Sequence, residues 1–460
     1  MGLFAMNFIL LDMMVIGGML RHLYEGDPKT VSMPCNWYLS PVRRCKLDFM
    51  AFWRVFALAC VLVGSGPAQN GFYLHDGDRV VFYGDSITDQ RLYTTFVETY
   101  AVTRFPGEHF TFVHSGWGGD RVTGGGGGPV DLRLERDVFA YRPTVMTIML
   151  GMNDASYRAF DQGLYDTYIN GYQHIVSSVK KEEPGIRITA ILPSPYDDVT
   201  QTPTFEGGYN AVLERYAEGV KTLAATDHID TADMNGPVVE DLKKAFAMDP
   251  AGAKKLIPDR VHPGPAGHML MAEALLKAWR APAMVSDVEI DVAAGKVRKS
   301  ANASVGDLDG ASWTETEKAL PMPIDWRDAS TQLAMKASDF VDALDEEILT
   351  VKGLKRGKWT LTIDGKEAGS FESEELAHGI NLVKFETPMM DQARAVAALT
   401  KKHTDLHNTR WRNIQVPLAR DPLPDRESAM ALLDRMEAEI VHEQHEAAQP
   451  VAHKFVLVSE

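Results

Sequence analysis

Residues 80–93 read VVFYGDSITDQRLY. Four successive apolar side chains bounded by Gly84 describe a strand covered on both faces. From Leu92 the apolar positions move to a helical spacing through Phe96, Val97, Tyr100 and Ala101. A strand, a glycine corner and a helix are the opening of a parallel βαβ unit. Ser86 stands at that corner. A serine there is either a helix cap or a nucleophile, and the stretch alone does not choose.

The same alternation recurs downstream. Residues 110–113, 145–150 (VMTIML) and 186–192 read as strands, with a short fifth near 228–229; 162–180, 207–224 and 266–280 read as helices. This predicts an α/β domain over 75–283, a parallel sheet with helices on both faces and right-handed crossovers. From residue 284 the texture changes to short alternating runs such as VEIDVAAGKV and KWTLTIDGKEAGSF, and Asp364-Gly365 is a hairpin signal. Residues 284–385 therefore read as a small β-rich unit and 386–460 as a helical extension. The five glycines 124–128 lack the Gly-Lys-Ser/Thr ending of a phosphate-binding loop and read as a flexible surface loop. RWRNIQ, at 410–415, reads as an interdomain contact.

The chain has 460 residues, 45% hydrophobic and 24% charged, enough for two or three domains with substantial cores. A net charge of −16 argues against a nucleic-acid partner. Residues 50–69, MAFWRVFALACVLVGSGPAQ, place Arg54 before an apolar run and small residues at Gly66 and Ala68. That pattern predicts a signal peptide over about 50–68, cut after Ala68, within a targeting region 1–74; a translation start at Met50 is one explanation for an apolar run so far into the chain. The alternative is a single signal-anchor. The apolar run is shorter than the ~20 residues of a membrane span, so no stable span is expected after processing. Export to the periplasm or medium follows. The three cysteines, Cys35, Cys45 and Cys60, all precede the cut, so the mature chain needs no disulfide.

In an open parallel sheet, ligands bind beyond the carboxyl ends of strands, at the switch point in strand order. With the order 2-1-3-4-5, three strand ends converge there: Gly84-Asp85-Ser86, His114 to Asp120, and Gly151-Met152-Asn153-Asp154. Acyl transfer builds charge on a carbonyl oxygen and needs fixed donors. A glycine amide at Gly119 approaches closely, and the Asn153 amide adds another donor. The base is met in IPDRVHPGPAGHML, 257–270, where Asp259 precedes His262 by three residues in a proline-rich loop. Asp259 on one ring nitrogen frees the other as base, in the chain order Ser…Asp…His. Each fragment alone is weak; their conjunction on successive strand ends is specific.

On these residues the sequence resembles the SGNH (GDSL-type) hydrolases, whose name spells the four residue types found at Ser86, Gly119, Asn153 and His262. The resemblance covers about 75–283. It implies a flavodoxin-like three-layer α/β/α fold and a serine esterase without metal or organic cofactor. Carried over, Ser86 is the nucleophile, His262 the base and Asp259 its orienter; the Ser86 and Gly119 amides and Asn153 Nδ2 form the oxyanion hole. His114 departs from the family, which often has asparagine before the glycine turn, so the resemblance implies different local hydrogen bonding there.

The substrate is less legible. Trp117 is a candidate sugar-stacking ring or plain packing, and Asp120, Arg121, Tyr196, Asp197 and Tyr209 are candidate polar contacts at the rim. Exported relatives often remove acetyl groups from carbohydrates, so an acylated carbohydrate is the expected substrate. A lysophospholipase, a broad short-chain esterase, or a non-catalytic carbohydrate-binding protein are the alternatives. HEQHE at 442–446 lacks the second histidine of a His-Glu-x-x-His zinc site and reads as a solvated helix end; DLDG at 307–310 is too short for a calcium loop; the Gly-x-Ser-x-Gly elbow is absent.

Overall fold

The computed structural model describes residues 71–419 and 423–460. The expected signal peptide, the Met50 start and the three cysteines lie outside the described residues. Strands β1 (Arg79–Gly84), β2 (Thr111–Gly116), β5 (Val145–Met149), β6 (Arg187–Ile191) and β7 (Asp230–Ala232) form one sheet. Two two-residue strands, β3 (Gly124–Gly125) and β4 (Gly128–Pro129), pair separately. The sheet order is β2-β1-β5-β6-β7 with every pairing parallel, which is the expected 2-1-3-4-5 order among the strands of this sheet. Val80 to Tyr83 are fully buried, as a continuous apolar strand requires. The helix Leu92–Arg104 packs against Pro265–Ala278, and Gln162–Glu182 packs against Gly208–Asp227. Right-handed crossovers distribute such helices over both faces, and the fold is the flavodoxin-like α/β/α sandwich.

The C-terminal region is β-rich and helical. Its strands are β8 (Met284–Asp291), β9 (Lys296–Ala301), β10 (Ala303–Asp309), β11 (Ser312–Glu317), β12 (Glu346–Lys352), β13 (Lys358–Ile363), β14 (Lys366–Glu372), β15 (Ile380–Asn381) and β16 (Ala452–Ser459). They make two sheets, β15-β12-β8-β9 and β10-β11-β16-β13-β14. The β13–β14 hairpin turns at Asp364 and Gly365, both at positive φ (53° and 79°), as a two-residue turn of this composition demands. Residues 386–460 contain the expected helices, Pro388–Asn408 and Arg426–Ala447, but do not end as helix. β16 threads back between β11 and β13, burying His453, Phe455 and Leu457 on one face. That period-two burial is strand patterning; its partners lie far upstream in the chain, so only the fold reveals its place.

Nor is residue 284 a packing boundary. The helices Ala329–Ala337 and Phe340–Leu344 bury Leu333, Ala334, Phe340 and Leu344 in the core of the α/β domain. Arg104, at the end of its helix, donates to Asp345 Oδ1 (3.1 Å), to the Leu344 carbonyl (3.0 Å) and to the Ala283 carbonyl (2.8 Å). Both side chains of that ion pair are buried. Removing one partner of such a pair costs about 3–5 kcal/mol, because the other charge is left in a dry site. Among the described residues no helix is long and apolar enough to cross a membrane.

The glycine run is a second correction. It forms the β3–β4 hairpin, packed rather than loose. A Cβ on Gly127 would lie 2.6 Å from Arg133 Cδ and 2.7 Å from Trp117 Cδ2, and one on Gly125 would lie 2.6 Å from Asp120 Oδ1. The glycines are there because neighbouring side chains occupy the space a Cβ needs.

Candidate active site

β1 ends at Gly84 and a one-turn helix, Ser86–Asp89, begins at once. The cap is Asp85, not the serine: Asp85 Oδ1 accepts from Ile87 N at 3.1 Å. Ser86 is thereby left with its hydroxyl uncommitted to the helix. Its N–H occupies the first helical position, where no intrahelical acceptor exists. Burial pushes the Asp85 carboxyl up to about 7, against the hydrogen bond from Ile87 N.

The Ser86 hydroxyl meets His262 Nε2 at 2.8 Å, and His262 Nδ1 meets Asp259 Oδ2 at 2.8 Å. Asp259 Oδ1 also accepts from the backbone of Val261 (3.0 Å) and His262 (2.7 Å). Partial burial pushes this carboxyl up, but those hydrogen bonds outweigh it and hold the group below its usual 3.8. The loop is set by Arg260, a non-glycine residue at φ 74°; its carbonyl accepts from Asp197 N at 2.9 Å. From below, Gln90 donates to the Pro263 carbonyl (3.4 Å) and accepts from His268 Nε2 (3.1 Å). Burial holds His268 neutral, its pKa lowered to about 3, and its Nε2 donates because the Gln90 oxygen can only accept.

Opposite the serine, β2 leaves through Trp117-Gly118-Gly119-Asp120. The turn closes from Asp120 N to the Trp117 carbonyl (3.1 Å), with Gly119 at φ 78°, a conformation that favours glycine. Gly118 N donates to Asp89 Oδ2 at 3.2 Å, tying this turn to the helix that carries Ser86. Asn153, after β5, donates from Nδ2 to the Asp120 carbonyl (3.0 Å) and accepts at Oδ1 from the Tyr157 hydroxyl (3.0 Å). Tyr157 sits at φ 54° and stacks on Tyr209 with ring centroids 5.0 Å apart. Burial pushes its phenol up to about 12, so it remains a donor at neutral pH.

The expected set of Ser86, Asp259 and His262 is thus brought into hydrogen-bonded series, and Gly119 and Asn153 meet through Asp120. The three expected substrate contacts fare differently. Asp120 is fully buried, and Arg133 Nε holds its Oδ2 at 2.8 Å. The Trp117 ring is occupied: the Arg412 guanidinium lies 3.4 Å from its centroid, Arg133 and Arg136 lie 5.4 Å from it, and Trp411 meets it edge to face at 5.7 Å. Tyr196 is 8% exposed, packed edge-on to Tyr209. Each supports the site from behind. The exposed ring is Tyr157, at 43%. Tyr157 and Asp89 lie outside the expected site residues, and Arg412 lies in a stretch expected only as an interdomain contact. The spacing Asn153-x-x-x-Tyr157 is a signal for the first; no local pattern says that Arg412 covers Trp117. The interdomain contact expected at 410–415 is real: Trp411 Nε1 donates to Asp137 at 2.6 Å, and Arg412 also faces Asp89 Oδ2 at 3.7 Å.

A flavodoxin-like sheet with a serine, a histidine and an aspartate in series beyond its strand ends defines a hydrolase whose site is equipped for acyl transfer. Residues 82–270 match the model of the GDSL-like lipase/acylhydrolase family. Over 221 residues, 44% of this chain and 93% of the relative, the sequence is 27% identical to an acetylxylan esterase of Geobacillus stearothermophilus. A solved structure described as a gut microbial diltiazem-metabolizing enzyme superposes with a TM-score of 0.73 at 26% identity, over 84% of this chain and 98% of that one. That likeness reaches past the α/β domain into the C-terminal region. Residues 82–270 thus carry a GDSL-type hydrolase domain, and the chain is a carboxylic-ester hydrolase.

Proposed function

We propose that this chain is an exported serine esterase that removes acyl groups, acetyl in the first place, from carbohydrates. The observation that carries the catalytic part is the series Ser86 Oγ to His262 Nε2 to Asp259, at 2.8 Å and 2.8 Å. In this reading His262 takes the serine proton as Oγ attacks the ester carbonyl carbon, and Asp259 stabilises the imidazolium. Ser86 N–H, Gly119 N–H and the second Asn153 Nδ2 hydrogen receive the oxyanion. His262 then returns its proton to the departing alcohol. Water, activated by the same histidine, releases the acid from the acyl-serine.

Three features support the carbohydrate part: the acetylxylan esterase likeness, an exposed aromatic ring at Tyr157 beside Asn153, and the polar loop 197–208. The signal-peptide pattern at 50–68 supports export. Wild type should release p-nitrophenol from the acetyl ester and Ser86→Ala should not; equal inertness of both would leave only a binding protein. Acetate release from acetylated xylan, compared with fatty-acid release from lysolecithin, separates the carbohydrate reading from the lysophospholipase. Equal turnover of small esters with neither of these would mark a broad short-chain esterase.

A further inference from the structure

Away from the reacting serine, a polar cluster is buried where the helices Pro388–Asn408 and Arg426–Ala447 meet the α/β domain. Glu98, on the helix Leu92–Arg104, meets His114 Nε2 at 2.9 Å with one oxygen and His403 Nδ1 at 2.8 Å with the other. All three side chains are at most 2% exposed, and their ligand atoms lie within 4.8 Å of one another. The domain supplies one histidine and the carboxylate; the C-terminal helix supplies the other histidine.

We propose that Glu98, His114 and His403 form a structural site for a divalent transition-metal ion, zinc in the first place, that clasps the C-terminal helices to the hydrolase domain. Two imidazoles and a carboxylate are the donor set such ions prefer. Each imidazole has its other nitrogen already held. His114 Nδ1 meets Thr94 Oγ1 at 2.7 Å, and His403 Nε2 meets the Glu437 carboxylate at 3.2 Å. An acceptor behind each ligating histidine, often a carboxylate, is the usual support of a metal site. Gln444 Nε2 donates to Glu98 Oε1 at 3.2 Å and to Thr400 Oγ1 at 2.6 Å, closing the seam beside the carboxylate. Among the described residues Glu98 and Glu437 are paired by histidines alone, His114 and His403 with Glu98, and His403 and His407 with Glu437. Ion binding would release the proton His403 holds there and put a dication in its place. Ligand atoms around zinc stand about 3.3 Å apart for bonds of ~2.0–2.1 Å, so the two Glu98 contacts would open by roughly half an ångström, and the two imidazole nitrogens, within 4.8 Å of one another, would adjust with them.

The test uses the full chain. After dialysis against metal-free buffer, metal content is measured by plasma mass spectrometry, and Zn2+ and Co2+ are titrated against a competing chelator while thermal unfolding is followed. Expected are about one ion per chain, a melting temperature that rises with Zn2+ and falls with chelator, and visible Co2+ bands lost in His403→Gln. Glu437→Gln leaves all three ligands in place and should weaken affinity about 10–100-fold while remaining folded. A wild type that binds neither ion, with unfolding indifferent to both, overturns the proposal: the cluster then holds protons only. Metal retained at full affinity by both His403→Gln and Glu437→Gln overturns it too, because the ion then lies elsewhere.

Discussion

Replacing Asn153 by alanine isolates one donor of the proposed oxyanion hole. The amide is locked at both ends, by the Asp120 carbonyl at Nδ2 and the Tyr157 hydroxyl at Oδ1, each at 3.0 Å. One Nδ2 hydrogen is spent on Asp120, and the other is the one offered to the reacting oxygen. Its loss leaves two donors of three, and deleting such a donor costs about 10²–10³ in kcat, roughly 2.7–4 kcal/mol. KM should scarcely move, because the interaction belongs to the transition state. Tyr157→Phe keeps the amide and removes only its lock. A single hydrogen bond worth about 0.5–1.5 kcal/mol predicts a loss of about 2- to 13-fold. In the N153A background the Tyr157 substitution should then cost almost nothing, since it acts through the amide. The assay is p-nitrophenyl acetate hydrolysis for the four proteins of this cycle, with thermal unfolding as the folding control. A kcat loss below about tenfold for well-folded N153A would refute the placement of this donor, and additive losses would refute the lock.

Asp259→Asn should lower kcat by about 10²–10⁴ by misdirecting the histidine tautomer. Because the Asp259 carboxyl is held below 3.8, its stabilising contribution is present above that pH and fades as pH falls through the lowered value; acid unfolding of the two proteins should converge there. Asp85 works in the opposite sense: with its carboxyl raised to about 7, it favours the folded state below pH 3.8 and loses that contribution as pH rises through 7. Asp85→Asn, which keeps the cap acceptor, should gain on the order of a few kcal/mol relative to wild type between those limits, read from urea midpoints at both ends. Arg412→Ala should lower kcat by about 2- to 30-fold, the worth of a cation stacked on the turn indole. Lysine should restore little of it, lacking the planar face, and equal activity of all three would mean the C-terminal region does not act on the turn.

Local pattern carried far here. The continuous apolar run before Gly84, the helical spacing after it and its repetition downstream are short-range properties, so strand, helix and a parallel sheet were legible. The residue types at the strand ends were legible because ester cleavage needs a nucleophile, a base and donors, and few residues can serve. What escaped is long-range. The C-terminal strand has a period-two pattern, yet its slot between β11 and β13 depends on partners far away in the chain. The glycine run was read as loose because composition reports freedom, whereas Trp117, Arg133 and Asp120 fill the space beside it. Asp120 reads as a rim contact, and Trp117 as either a sugar platform or packing, because both adjoin the turn at Gly119; adjacency in sequence does not say which way a side chain faces.

The sequence by itself determined the sheet and the chemical types at its strand ends, since alternation, turn chemistry and functional groups are written in neighbouring residues. Tertiary structure alone decided that Asp85 caps so that Ser86 need not, that Tyr157 locks Asn153, and that Arg412 closes over Trp117 from the far end of the chain. Those are relations between side chains that meet only after burial has chosen their orientation, and no spacing encodes them.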